Sequence, residues 1–379
     1  MLITVYNASW ETMGGGEKYL CMLADTLSRE PGATVRILLD REDVTADSLR
    51  AFFNILLDRI EFVRVQPADL TSALSDTDLS IVQTNFRPFK HRAPRQAYIL
   101  HVPYGPLSSG RIVRRIAAGY IREAAKDVVR MQLLRTVRKA DLVIVNSEFC
   151  REAYRRHHTI TASCLYASID DFLWPGIKRP VILSVGRFFR GLYNDKRYDV
   201  MIEAFRILCT RHPERRWTYR MVGSCGGDAD SQTYLENLRS RAAGLPVEFH
   251  VNQPYALLAE SYNRATVFWH GAGYGVDESR YPEQMEHFGM TTVEAMSARC
   301  VPVVYRGGGQ KEVIQENTSG LFWATPEDLV RQTERLAADP AGTARLADGA
   351  RKRALEFSAD RFVQRTRQLF HHLLTGTNG

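Results

Sequence analysis

Seven residues, His-Phe-Gly-Met-Thr-Thr-Val, separate Glu286 from Glu294, and Ala-Met follows the second glutamate. The pattern reads as two carboxylates bracketing the start of a helix. Val301-Pro-Val-Val-Tyr then reads as a buried strand, and Gly307-Gly-Gly-Gln-Lys-Glu312 as the turn that closes the unit. Amides exposed at a helix start welcome phosphate, and carboxylates accept hydrogen bonds from sugar hydroxyls. A nucleotide-sugar presents both kinds of group. Taken singly, the glutamates read equally well as the solvated face of an ordinary amphipathic helix. The assembled run, with His-Phe-Gly, Val-Glu-Ala-Met and the downstream glycines together, points to a ligand site.

This run resembles the E-x7-E signature of the retaining glycosyltransferases of family 4. Their fold is GT-B, an α/β architecture of two facing doubly wound, Rossmann-like domains with a cleft between them. The resemblance implies that Gly289, Met290 and Thr291, with Phe288 beside them, form the donor-binding helix start. It also implies that Glu294 accepts from the ribose hydroxyls and that Glu286 faces the transferred sugar. Glu286 is not expected to act as a simple covalent nucleophile, because retention in the family is ascribed to front-face substitution. Ser184-Val-Gly-Arg187 and Lys196 resemble the family element that holds the leaving diphosphate. Negative charge builds there as the glycosidic bond breaks, and fixed cations stabilise it. The extra residues between Arg187 and Lys196 leave Arg190 and Arg197 as alternative phosphate contacts. Gly14-Gly-Gly-Glu17 is by itself only a strand-to-helix turn, but Gly15 and Gly16 match a glycine turn of the family near the donor and acceptor. His101, in Tyr98-Ile-Leu-His-Val-Pro-Tyr, reads from sequence alone as a structural strand-end histidine. The resemblance implies a catalytic role for it. Asn146-Ser147 resembles a cleft-shaping family pair.

Two Asp-x-Asp triplets, Asp76-Thr-Asp78 and Asp228-Ala-Asp230, raise the question of a diphosphate-bound cation. A loop or helix-cap role suits them better, and no metal or other cofactor is expected. Met285-Glu-His-Phe-Gly and Val247-Glu-Phe-His-Val-Asn-Gln-Pro-Tyr look similar to mannosyltransferases of lipid-linked oligosaccharide assembly. The expectation is therefore a hexosyltransferase using GDP-mannose, with UDP-sugars next, and a glycan or lipid-linked acceptor. The alternatives are a GT-B-fold sugar-nucleotide epimerase and a non-catalytic binding protein for anionic polymers. A dehydrogenase is disfavoured by the missing G-x-G-x-x-G, and nucleic acid is not an expected partner.

The elements that must position these residues follow from periodicity. Short β-rich runs alternate with helical segments over all 379 residues, enough chain for two domains. The first half has strands expected at 2–6, 34–39, 61–65, 79–83, 98–101 and 142–146. The second half has them at 181–185, 218–222, 247–250, 266–270 and 301–304. Asp170-Asp-Phe-Leu-Trp-Pro-Gly-Ile-Lys-Arg-Pro180 interrupts regular structure, so the expected domains are 1–173 on the acceptor side and 174–358 for the nucleotide-sugar. A closing helix at 359–379 is implied by the resemblance to pack back on the first domain. The start reads as a strand and not as a signal peptide, and no apolar run is long enough for a membrane span. Six scattered cysteines suggest reduced thiols in the cytoplasm. Between Arg111 and Lys139 stand nine Lys or Arg against two acids, which equals the whole net charge of +7. Ile112, Ile116, Tyr120, Ala124, Val128, Met131 and Leu134 recur there at helical spacing. One basic amphipathic helix is expected, either core-packed or touching the inner face of an anionic membrane.

Overall fold

The computed structural model describes residues 1–10, 14–173, 176–189, 193 and 195–375. They form two compact units, one of Met1–Ser168 with the chain from Ala359 onward, the other of Ile169–Ser358. Trp174 and Pro175 of the expected interdomain segment, and the alternative phosphate contact Arg190, lie outside the described residues.

The first unit holds β1 (Leu2–Asn7), β2 (Thr34–Leu39), β3 (Ile60–Arg64), β4 (Leu79–Gln83), β5 (Arg95–Leu100), β6 (Leu142–Val145) and β7 (Ser163–Cys164). They pair in the order β3-β2-β1-β4-β5-β6-β7, all parallel, with Val5 opposite both Ile37 and Ile81. Helices cover both faces of such a sheet, so its central strands are apolar throughout rather than alternating. β4 and β6 accordingly bury every residue. The closing helix, Ala359–Thr375, buries Phe362, Phe370 and Leu373, and sets the Phe362 ring edge-on to Tyr19 at 5.4 Å.

The second unit holds β8 (Arg179–Val185), β9 (Thr218–Gly223), β10 (Val247–Val251), β11 (Ala265–His270), β12 (Val301–Tyr305) and β13 (Leu321–Trp323), ordered β10-β9-β8-β11-β12-β13 and again parallel. Each unit is thus the doubly wound α/β sheet expected from the sequence. In each sheet the direction of winding reverses once, between β1 and β4 and between β8 and β11. Ligands in doubly wound sheets bind beyond the carboxyl ends of the strands at that point.

The eleven expected strands are all present, with ends shifted by a few residues. β7 and β13 were not expected. They are two and three residues long, too short for strand propensity to stand out. The single basic helix is corrected to two, Ser109–Ala117 and Ile121–Val137, broken at Gly119 with φ +80°. The expected apolar stripe is only partly the inner face, through Ala124 and Leu134. The second helix buries Ala124, Asp127, Arg130, Leu133, Leu134 and Val137, while Ile116, Tyr120 and Val128 are exposed. Asp127 can sit inside because Arg111 (3.1 Å), Arg115 (2.6 Å) and Arg130 (3.0 Å) all pair with it. A polar residue on the buried side defeats a reading based on hydrophobic spacing.

Candidate functional site

At the switch point of the second unit, β8 runs into Gly186 and β11 ends at His270. Glu286 is buried on the loop before the helix Met290–Ser297. Its Oε2 accepts from Lys196 Nζ at 2.7 Å and lies 3.0 Å from His270 Nε2. Burial alone would push this carboxyl up; the Lys196 ammonium and the His270 hydrogen bond outweigh it and hold the group well below the usual carboxylate range. Burial, reinforced by Lys196, pushes His270 down, so the imidazole is neutral and donates Nε2–H to Glu286. Its Nδ1 is then the acceptor facing Gln310 Nε2 at 3.4 Å, and that amide also donates to Thr292 Oγ1 at 2.8 Å.

Glycines let the backbone come close enough to build this. A Cβ at Gly186 would lie 3.0 Å from Lys196 Cε, so the lysine stem crosses directly over the glycine on its way to Glu286. Gly309 donates to Glu286 O at 2.8 Å. A Cβ at Gly308 would stand 2.2 Å from Glu286 O, and one at Gly309 would stand 2.5 Å from His287 O. The glycine turn is thus the floor under the carboxylate loop. Gly289, at φ +106°, starts the helix, and the Gln310 amide fills the space its side chain would occupy.

Met290 and Thr291 stand half-buried in the first helical turn, whose amides have no acceptor one turn back within the helix. Glu294, one turn on, accepts from Tyr262 Oη at 2.7 Å. Burial, and then the nearby Glu294 carboxylate, holds the Tyr262 phenol well above its usual range, so it remains the donor. Phe288 is buried with its ring 5.3 Å from Phe357, a prop for the loop. Arg187 is exposed, its guanidinium 4.9 Å from the Phe189 ring centroid. Arg197 is directed to Tyr274, donating to its carbonyl and lying over its ring at 5.4 Å. Of the described basic residues after Arg187, Lys196 is therefore the one brought to Glu286.

The first unit gathers the remaining positions at its own switch point. His101 stands just past β5, because its amide bonds to Asn85 Oδ1 (3.0 Å) instead of continuing the ladder. Its Nε2 meets Gln83 Oε1 at 3.0 Å, and Tyr19 sits edge-on at 4.9 Å. A Cβ at Gly16 would be 3.2 Å from Gln83 Nε2 and 3.5 Å from the imidazole, so that glycine admits the histidine. Gly15 opens the helix Gly15–Ser28, where Glu17 accepts from the Gly14 amide at 3.0 Å. Ser147 caps the helix Glu148–His158 through Cys150 N. Asp228 caps the helix Ala229–Arg241 through Ser231 N at 2.9 Å, and Asp78 accepts from Leu2 N at 2.7 Å. Among the described residues no group of three His, Cys, Asp or Glu side chains is placed to hold a metal.

Sequence reasoning missed His270, Gln310, Thr292 and Tyr262 in the second unit, and in the first Gln83, Asn85 and Asn7, whose Oδ1 accepts from Gln83 Nε2 at 3.3 Å. Most of these are polar residues at or just after a strand's carboxyl end. That position is a signal only once strand order is known.

Residues 175–353 match the family described as Glycosyl transferases group 1. Mannosylfructose-phosphate synthase of Agrobacterium fabrum is 34% identical over 157 residues, covering 40% of this chain and 31% of that protein. The GDP-Man:Man(3)GlcNAc(2)-PP-Dol alpha-1,2-mannosyltransferase of Xenopus tropicalis is 26% identical over 194 residues, covering 49% of this chain and 37% of that protein. The chain thus spans about a third of the length of these curated relatives. Among solved structures, HepE from Anabaena in complex with UDP and glucose superposes with a TM-score of 0.68 at 16% identity, over 98% of this chain and all of that one. Residues 175–353 are thus similar to the group 1 glycosyl transferases, and the two sheets share the fold of GT-B glycosyltransferase structures.

Proposed function

We propose that a chain built around this group 1-like region is a retaining, metal-independent glycosyltransferase of the family 4 type. It moves a hexose from a nucleotide-diphosphate sugar to a glycan or lipid-linked acceptor. The observation that carries the reading is the buried Lys196–Glu286–His270 cluster set one helical start away from Glu294. Amides of Met290 and Thr291, with Lys196 and Arg187, would take the charge that develops on the leaving diphosphate. Glu294 would hold the ribose hydroxyls, and Glu286 would orient the hexose. The first unit is assigned the acceptor side, with Gly15, Gly16 and His101 at its crevice.

Mannose and a GDP base are favoured because the relatives this chain matches include proteins named for mannosyl products and a GDP-mannose donor. A UDP-sugar is next. A thermal-shift screen of GDP-, UDP- and ADP-sugars tests this first: GDP-mannose should raise the melting temperature most. If no nucleotide-sugar stabilises the protein, the assignment fails. EDTA should leave transfer intact, and strong inhibition would return Asp228 and Asp230 as metal ligands.

A peripheral position on an anionic membrane is supported by the helices 109–117 and 121–137. No residue of the first is buried, and Val113, Ile116, Tyr120 and Ile121 are exposed beside Arg114 and Arg122. Apolar side chains ringed by cations suit an interfacial helix. No described helix is long and apolar enough to cross a membrane. The protein should sediment with anionic but not with zwitterionic vesicles at low salt; failure to sediment with either removes the membrane from the account.

A further inference from the structure

A large cavity lies at the opposite edge of the second sheet from Glu286. About 1110 Å³ in volume, it opens at the amino ends of β8, β11 and β12. Six residue steps along β8 at about 3.3 Å each put it roughly 20 Å from Gly186. Its floor is largely aliphatic, with Val301, Leu336, Ala337 and Ala347, and Trp217 supplies one ring. Its rim is cationic: Lys178, Arg179, Arg215, Arg216 and Arg299 line it, and no carboxylate does.

Most of that charge is not neutralised locally. Arg299 pairs with Asp348 at 2.5 Å, and Arg215 reaches Glu214 only at 3.7 Å. The half-buried Lys178 ammonium donates to a neutral group, Tyr262 O, at 3.0 Å. Arg179 and Arg216 have no ion pair among the described residues, and both are exposed. Cations gathered around an apolar hollow repel one another, and an anion relieves that repulsion. The hydrocarbon floor is covered only by a ligand with an apolar body. Nothing in the glycosyl-transfer chemistry uses this edge of the sheet.

We propose that this cavity binds an amphiphilic anion, a hydrocarbon chain carrying a phosphate or carboxylate head, with the chain on the Val301–Leu336 floor and the head among Lys178, Arg179 and Arg216. The site stands on its own geometry and does not depend on the glycosyltransferase assignment. It is tested on the full chain by calorimetry with dodecyl phosphate and with laurate, each below its micelle concentration. Inorganic phosphate and the uncharged dodecyl maltoside serve as separate arms. One amphiphilic anion per chain is expected, with both control ligands weaker by about tenfold or more, a difference of about 1.4 kcal/mol. Arg179→Glu combined with Arg216→Glu reverses exposed charges and should weaken binding about tenfold or more without moving the melting temperature. Ala337→Trp fills the floor while keeping the rim, and should abolish binding. Absence of saturable binding, equal uptake of dodecyl maltoside, or binding that both variants leave unchanged overturns the proposal.

Discussion

At the scale of single residues, Glu286 and Glu294 share a signature but sit in different physics. Glu286 is a buried anion whose charge exists because Lys196 and His270 face it. Removing one partner of a buried pair leaves the other unpaired and costs several kcal/mol, about 3 or more. Glu286→Gln should therefore lower both the melting temperature and turnover, the latter on the order of a hundredfold, while donor affinity changes little. Turnover equal to wild type would remove this residue from the chemistry. Glu294 is half-buried and accepts from Tyr262 Oη. Glu294→Ala should raise the donor dissociation constant by about 1–3 kcal/mol, the loss of one or two charge-assisted hydrogen bonds. Calorimetry with the best donor from the screen decides it: a variant that binds as tightly as wild type contradicts a ribose role.

At the scale of elements, the glycine turn at 307–309 and the helix start at 290 are one assembly. At 308 and 309 the turn lies so close beneath the carboxylate loop that side chains would collide with backbone, which cannot move aside as a flexible side chain can. Gly309→Ala should cut turnover by an order of magnitude or more and destabilise the second unit by about 1–3 kcal/mol, as overpacking does. Gly227→Ala is the matched control, since a Cβ there meets nothing within 4 Å. Urea midpoints and initial rates of the two variants separate the outcomes, and equal behaviour would mean that the close approach is not needed. The two basic helices show the converse case. A left-handed Gly119 and a buried aspartate surrounded by three arginines make a hairpin where residue spacing suggests one rod.

At the scale of the whole molecule, buried neutral histidines link stability to acid. Burial pushes His158 down to about 4, its Nε2 donating to Tyr104 O at 2.9 Å. The unfolded chain takes up this proton near the ordinary value of 6.5, so the folded state binds fewer protons below it. The contribution is complete above that pH and is lost as pH falls toward 4, by about 3 kcal/mol at the lower end. His270 and His287 are lowered in the same direction by burial and steepen the fall. Glu286 acts only further down, since its stabilisation is present above the ordinary carboxylate range and is lost as pH drops through its depressed folded value. Urea midpoints should be flat from about pH 8 to 7 and decline below about 6.5. His158→Gln should flatten the decline, and a slope identical to wild type would assign it to other groups.

The amino-acid sequence by itself determined the two-sheet α/β architecture and the position of eleven strands. Near-continuous runs such as Leu142–Val145 are what a sheet buried on both faces requires. It also determined the carboxylate loop and the glycine turn beneath it, because Glu286, Gly289, Glu294 and the 307–309 glycines are close along the chain and their types are fixed by local geometry. Which basic residue reaches the leaving phosphate was left open, and no pairing with Glu286 was foreseen; only the tertiary structure sent Lys196 over Gly186 to Glu286 and Arg197 to Tyr274. His270, Gln310 and Asn85 were likewise invisible. Their roles come from strand order and from hydrogen bonds to residues 16 to 40 positions away. Periodicity records what each element buries, whereas the meeting of distant polar groups depends on how the sheet is wound.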